Sequence, residues 1–199
     1  MNQIDELIKR YPALTHCRQD IRDAVDAMVR TYRQEGKILL CGNGGSAADC
    51  DHIAGELLKG FLLPRKVTDQ QVPEELRDKL QGSLPAISLP SVTAALTASL
   101  NDLDPSVAYA QLLYGLAKKG DLLIAISTSG NARNVCNAAK LARAMGVEVL
   151  ALTGESGGEL SKIATVAIRV PETETYKIQE LHLPVYHTLC AAVEQAFFG

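Results

Sequence analysis

His52 and Glu56 stand four residues apart, a spacing that puts both side chains on one face of a helix. Imidazole and carboxylate are ligands that zinc accepts, and they are also the side chains that most often move protons in catalysis. Standing alone, such a pair also serves as a solvated surface contact. Gln179, His182 and His187 fall together in a second helical stretch. At about 100° per residue, Gln179 and His187 lie about 80° apart, whereas His182 and His187 lie about 140° apart. The first pair can converge on one ligand; the second cannot share a site. His182 is therefore expected to make a structural or solvent contact. His52, Glu56, Gln179 and His187 form a candidate site for a borderline divalent metal, with a position open to a substrate oxygen. His16 has no partner in sequence and receives no role.

Two turns are suited to an anion. Ser127-Thr128-Ser129-Gly130 follows an apolar run and precedes a helical one. A helix start offers unpaired N–H groups and partial positive charge, and each hydroxyl can donate to a phosphate oxygen. The alternative is a plain N-cap, although one hydroxyl would suffice for that. Gly42-Asn43-Gly44-Gly45-Ser46 is the other turn. It lacks the Gly-Lys-Ser/Thr of a Walker loop and the third glycine of GxGxxG, so it argues for backbone close to something small rather than for a nucleotide.

These residues need a scaffold, and the apolar pattern supplies one. Helical spacing runs from Ile4 to Tyr32, broken at Tyr11-Pro12. Strands are expected at residues 37–41, 85–89, 122–126, 148–152 and 166–170, with helices near 47–58, 91–99, 106–119, up to Met145, and 177–197. Pro184 predicts a kink in the last of these. Apolar strands alternating with helices mean a parallel sheet covered on both faces. The expected fold is α/β: a doubly wound, flavodoxin-like five-stranded sheet, binding ligands beyond the carboxyl ends of its strands. One domain spans 1–199, with an N-terminal helical segment at 1–35. Residues 62–84, with Pro64, Pro73 and Gly82, read as an excursion, either a lid or a tolerated insertion.

Composition narrows the function classes. With 47% hydrophobic and 22% charged residues the chain is globular, and a net charge of −3 offers no basic field for nucleic acid. No apolar run of about 18 residues exists to span a membrane. The polar start, Met1 to Glu6, is unlike a signal peptide, so a cytoplasmic location is expected. Cys17, Cys41, Cys50, Cys136 and Cys190 form no CxxC pair and are expected to be free and buried.

The ordered motifs Cys41-Gly42-Asn43-Gly44-Gly45-Ser46, His52 and Glu56, Ser127-Thr128-Ser129-Gly130-Asn131, Leu152-Thr153-Gly154, and Ile178 to His187 resemble the phosphoheptose isomerases of the sugar isomerase (SIS) domain superfamily. The likeness covers nearly the whole chain except residues 62–84. It implies an aldose–ketose isomerase that converts sedoheptulose 7-phosphate to D-glycero-D-manno-heptose 7-phosphate through an enediol. It implies a homotetramer with sites at subunit interfaces, and one zinc ion held by His52, Glu56, Gln179 and His187. Substrate contacts would fall on Asn43, Gly44, Gly45, Glu56, Asn101, Asp102, Ser127, Thr128, Ser129 and Gln179. Glu56 and His187 would be the catalytic base and acid. The chain departs from the family at Ala132, where a serine is common, with Arg133 adjacent. It departs again at Gly60, where an arginine is common, with Lys59 beside it. The alternatives are a non-catalytic phosphosugar-binding or protein-interaction module, and an isomerase of another sugar phosphate.

Overall fold

The strands are apolar at successive positions because successive side chains enter different cores. In β1 (Ile38–Gly42), Ile38 and Leu40 join one buried cluster while Leu39 and Cys41 join another. β3 (Leu122–Ile126) divides in the same way, with Leu122, Ile124 and Ile126 on the first side and Leu123 and Ala125 on the second. This is the two-residue period of a strand buried on both faces. β2 (Ala86–Ser88), β4 (Glu148–Thr153) and β5 (Val166–Arg169) complete a parallel sheet of order β2-β1-β3-β4-β5. The expected doubly wound order is thus observed. These features come from a computed structural model that describes residues 3–199. Met1 and Asn2, which open the expected segment 1–35, lie outside the described residues.

On the first face lie α1 (Gln3–Arg10), α2 (Arg18–Arg33), α3 (Gly45–Leu58) and α9 (Thr175–Phe198), linked early by a 3-10 turn at Pro12–Cys17. On the second lie α6 (Ala108–Leu116), α7 (Arg133–Ala144) and Leu160 of the short α8 (Leu160–Ile163). The chain leaves β1 toward the first face and β3 toward the second. Gly42 pairs with Ile126 at the carboxyl ends of these neighbouring strands. The two turns therefore sit side by side at the switch point, the place where such folds bind ligands.

Several boundaries differ from expectation for local reasons. α3 starts at Gly45 rather than Ala47, because Gly44 at φ 57° supplies the N-cap conformation. α5 (Thr93–Asp102) runs on through Asn101 and Asp102. α6 stops at Leu116 rather than Lys119, because the Asp121 carboxylate takes the Lys118 N–H at 2.8 Å and turns the chain. α9 remains helical across Pro184.

Residues 62–84 include the four-residue α4 (Glu74–Arg77) and close back on themselves. An antiparallel bridge joins Lys66 to Gln81, and Gly82 N donates to Arg65 O at 2.7 Å. Arg65 is 1% exposed and is the anchor. Its Nε donates to Glu194 Oε1 at 2.7 Å, while its Nη1 and Nη2 donate to the carbonyls of Leu57 and Glu56 at 2.6 and 2.7 Å. Glu194 also accepts the N–H groups of Phe61, Leu62 and Leu63. Burial raises the Glu194 carboxyl pKa, but these donors outweigh it and hold the group below its ordinary value. The clamp ties the end of α3 to α9. All five cysteines are free and buried, as expected. Among the described residues no helix is long and apolar enough to cross a membrane.

Candidate active site

α3 and α9 pack side by side, and the face they share carries the expected chemistry. His52 Nε2 lies 3.1 Å from Glu56 Oε1 and 3.4 Å from His187 Nε2. One ligand atom from each of the three fits within 4.8 Å of the others. Zinc–nitrogen bonds of about 2.0–2.1 Å in a tetrahedron would set ligand atoms about 3.4 Å apart, so this spacing and donor set fit a divalent cation. Burial lowers the His187 pKa, the neighbouring His52 lowers it further, and Glu56 opposes the shift. The net fall keeps the imidazole neutral, as a ligand must be. Behind the cluster Tyr186, 1% exposed, touches His52 Nδ1 at 3.0 Å and donates to Asp49 Oδ1 at 3.2 Å. Burial raises both the Tyr186 and the Asp49 pKa.

Gln179 sits farther back on α9, against the glycine turn. The end of its side chain lies directly over Gly45, where an added Cβ would come within 2.5 Å of its Nε2. Gln179 and His187 are separated by about 12 Å of helix rise. Asn43 is cross-linked to Asn134 of α7 by two amide hydrogen bonds of 2.9 Å each. Gly44 and Gly45 are exposed beside it.

The hydroxyl turn differs from expectation in one respect. α7 begins at Arg133 with Ala132 as its N-cap and no side-chain cap bond, so Ser127, Thr128 and Ser129 are not helix caps. They precede the helix. Ser129 Oγ accepts the Asn131 N–H at 3.1 Å, which leaves its proton to donate. Gly130, at φ 67°, lies where a Cβ would strike Gly157 O, so its close approach is to the neighbouring loop rather than to a ligand. Thr128 and Ser129 line a cavity of about 290 Å3 together with Asn131, Gly154, Glu155, Ser156 and Glu172. Ser127 is buried at the strand end. No basic residue lines the cavity, so an anion there would depend on hydroxyl and N–H donors against the field of Glu155 and Glu172. A second cavity of about 390 Å3 opens beside His187, bounded by Arg10, Tyr11, Phe61 and Leu62.

Asn101 and Asp102 lie on the exposed last turn of α5, bonded to one another at 2.7 Å. Gly60 admits no arginine without rearrangement, since a Cβ there would come within 2.8 Å of Leu63 O. Lys59 beside it donates to Gly60 O at 3.0 Å, and Arg133 is exposed at the start of α7. Sequence reasoning missed Tyr186, Asp49, Arg65 and Glu194. The one available signal was spacing: Tyr186 precedes His187, and Asp49 lies three residues before His52.

His182 is structural. It is 0% exposed, its Nε2 lies 3.3 Å from Thr153 O, and burial pushes its pKa down to about 4. An unfolded chain protonates its histidines near pH 6.5 while this one stays neutral, so acid favours unfolding. The resulting loss begins as pH falls below about 6.5 and is complete near pH 4, amounting to about 3 kcal/mol. His182→Leu should flatten the stability profile over that window, because Thr153 O keeps its bond from Val170 N. Urea titrations at several pH values check this; parallel profiles for the two proteins would refute it.

The fold and site define a class: a doubly wound α/β protein with a hydroxyl-rich turn at its switch point and a metal-type His/Glu/His cluster between α3 and α9. The SIS domain family matches residues 2–154. The phosphoheptose isomerase of Akkermansia muciniphila is 38% identical over 198 residues, covering 100% of this chain and 96% of that protein. The solved phosphoheptose isomerase of Neisseria gonorrhoeae superposes with a TM-score of 0.79 at 32% identity, covering 96% of this chain and 94% of that one. That of Francisella tularensis gives 0.76 at 30%, covering 98% and 100%. The chain belongs to the SIS domain family and, within it, to the phosphoheptose isomerases.

Proposed function

We propose that this chain isomerises sedoheptulose 7-phosphate to D-glycero-D-manno-heptose 7-phosphate through an enediol. The observation that carries the reading is the convergence of His52, Glu56 and His187 within 4.8 Å, in a chain of this family. Isomerisation moves one proton between C1 and C2, which requires a base for a weakly acidic C–H and an acid for the oxygens. Glu56 takes the proton: a carboxylate that gives one oxygen to a cation keeps a second to act as base. His187 serves the oxygens. His52, Glu56 and His187 would hold zinc, and Gln179 would complete the set by swinging from Gly45. A bound divalent ion supplies polarisation of the C1 and C2 oxygens and offsets the charge that develops on them.

Thr128 and Ser129, with Ser127 behind them, would hold the phosphate. Ile178 lines the cavity at that turn and His187 lines the other, nine residues farther along α9 and about 13 Å of helix rise away. A chain sugar with phosphate at one end and reacting carbons at the other suits that separation. Asn43, Gly44 and Gly45 would contact the sugar between them, and Arg133 stands where the missing serine at Ala132 could be compensated. Asn101 and Asp102, exposed on α5, would join a site shared between subunits of a homotetramer in the cytoplasm.

The test is incubation of purified protein with a panel of ketose phosphates, watched by NMR for aldose product. Sedoheptulose 7-phosphate should turn over fastest, and chelator treatment should abolish turnover until metal is restored. A faster six-carbon substrate would displace the assignment, and full activity in protein free of metal by elemental analysis would remove the zinc. Ser129→Ala should lower kcat/KM by about 10- to 150-fold, the worth of one hydrogen bond to a charged group at about 1.5–3 kcal/mol. Unchanged kcat/KM in both Ser127→Ala and Ser129→Ala would sink the phosphate site.

A further inference from the structure

We infer that Asp49 and Tyr186 are a positioning pair that fixes His52 in the ring form whose Nε2 carries a lone pair, and so prepares it to hold a cation. The inference rests on reading His52 as a metal ligand. His52 Nδ1 lies 3.0 Å from the Tyr186 hydroxyl, which donates to Asp49 Oδ1 at 3.2 Å. A phenol has one proton to give, and an ionised carboxylate can only accept. The Tyr186 proton therefore goes to Asp49, and the phenol oxygen turns a lone pair toward His52. Nδ1 must then provide the N–H. A neutral imidazole carries only one, so Nε2 keeps its lone pair. That nitrogen is the one aimed at Glu56 Oε1 and His187 Nε2.

The competing arrangement donates Nε2–H to Glu56 and lets Nδ1 accept from Tyr186. It would give Glu56 Oε1, 3.1 Å away, a donor that a cation between the two groups makes unnecessary, and it would do so at the expense of Asp49. Its Oδ2 is buried without a hydrogen-bond partner, so losing the Tyr186 proton would leave the carboxylate poorer still. Water cannot take over easily, because Tyr186 is 1% exposed. The tyrosine ring also packs edge-on against both imidazoles, with centroids 5.4 Å from His52 and 5.1 Å from His187. It thereby holds the orientation of each ring as well as the hydrogen position of one. Partners of this kind behind a ligating histidine raise metal affinity about 10- to 100-fold.

Two variants test the pair, each nearly isosteric. Tyr186→Phe removes the hydroxyl. Asp49→Asn can offer an N–H to Tyr186 and so reverse its donation toward His52. The first readout is the His52 tautomer in metal-free protein, from long-range 1H–15N NMR at a pH where the ring is neutral, with the signals assigned by loss in His52→Asn. Wild type should show Nδ1–H; Asp49→Asn should shift to Nε2–H, and Tyr186→Phe should lose the preference. The second readout is zinc affinity by competition with a metal indicator, expected to fall about 10- to 100-fold in both variants while thermal unfolding shows them folded. Nε2–H in wild type, or one tautomer and one affinity across all three proteins, would overturn the inference. If wild type takes up no zinc, the metal reading fails by itself, and the tautomers still decide for or against the pair.

Discussion

Glu194→Leu is expected to destabilise the protein by about 3–5 kcal/mol, the range found when one partner of a buried ion pair is removed. The loss is large because the carboxylate holds one buried charge and three backbone donors. Arg65, at 1% exposure, would keep its charge without a counterion. The part-buried N–H groups of Phe61, Leu62 and Leu63 would lose their acceptor, each at a cost of up to about 1–3 kcal/mol where water cannot replace it. For a chain of this length the shift corresponds to a fall in Tm of about 6–20 °C. Arg65→Met combined with Glu194→Leu should recover part of the loss, since it removes the stranded charge but not the orphaned N–H groups. Urea denaturation of both variants checks this. A single-variant loss below about 1 kcal/mol would mean that the clamp holds little, and a double variant worse than the single would mean that the guanidinium's bonds to the carbonyls of Glu56 and Leu57 outweigh the stranded charge.

That clamp also marks where sequence reading stops. The sheet was legible because burial on both faces leaves a mark on every strand position, as Ile38 through Cys41 show. The convergence of His52, Glu56 and His187 was legible in part, since angular spacing along two helices tells which side chains can share a direction. Spacing put Tyr186 next to His187 and Asp49 near His52, but spacing within a helix does not report which helices are neighbours, so nothing tied Tyr186 to His52. Residues 62–84 read as a polar excursion because an arginine looks alike in sequence whether it faces water or a buried carboxylate. Arg65 and Glu194 are 129 residues apart, and nothing local to either announces the other. The hydroxyl turn was misread in one detail for a related reason. The turn was expected to open a helix directly, but here Gly130 turns into the loop at Gly157 and the helix waits until Arg133.

Glu56→Gln should lower kcat by at least about a hundredfold while leaving the fold intact, because loss of general acid–base catalysis typically costs about 10²–10⁴ in rate. Glutamine keeps the length, the shape and one oxygen that can still face His52. What disappears is the group able to accept a proton from carbon. Glu56 is well placed for that task. Its Oε1 lies 3.1 Å from His52 Nε2, its backbone carbonyl is held by Arg65, and its side chain is 18% exposed, open enough to meet a substrate. A fall in kcat alone would not separate a lost base from a weakened ligand, so two further measurements are joined to it. Zinc content should be determined for the variant and excess metal supplied. Exchange of solvent deuterium into C1 of recovered substrate should then be followed, since that exchange reports proton removal irrespective of product release. A folded, metal-loaded Glu56→Gln protein that exchanges as fast as wild type would refute Glu56 as the base. His187→Ala provides the complement. If it loses metal, yet exchanges normally once metal is restored, His187 is a ligand and Glu56 carries the proton alone; if exchange stays slow with metal bound, both side chains share the transfer.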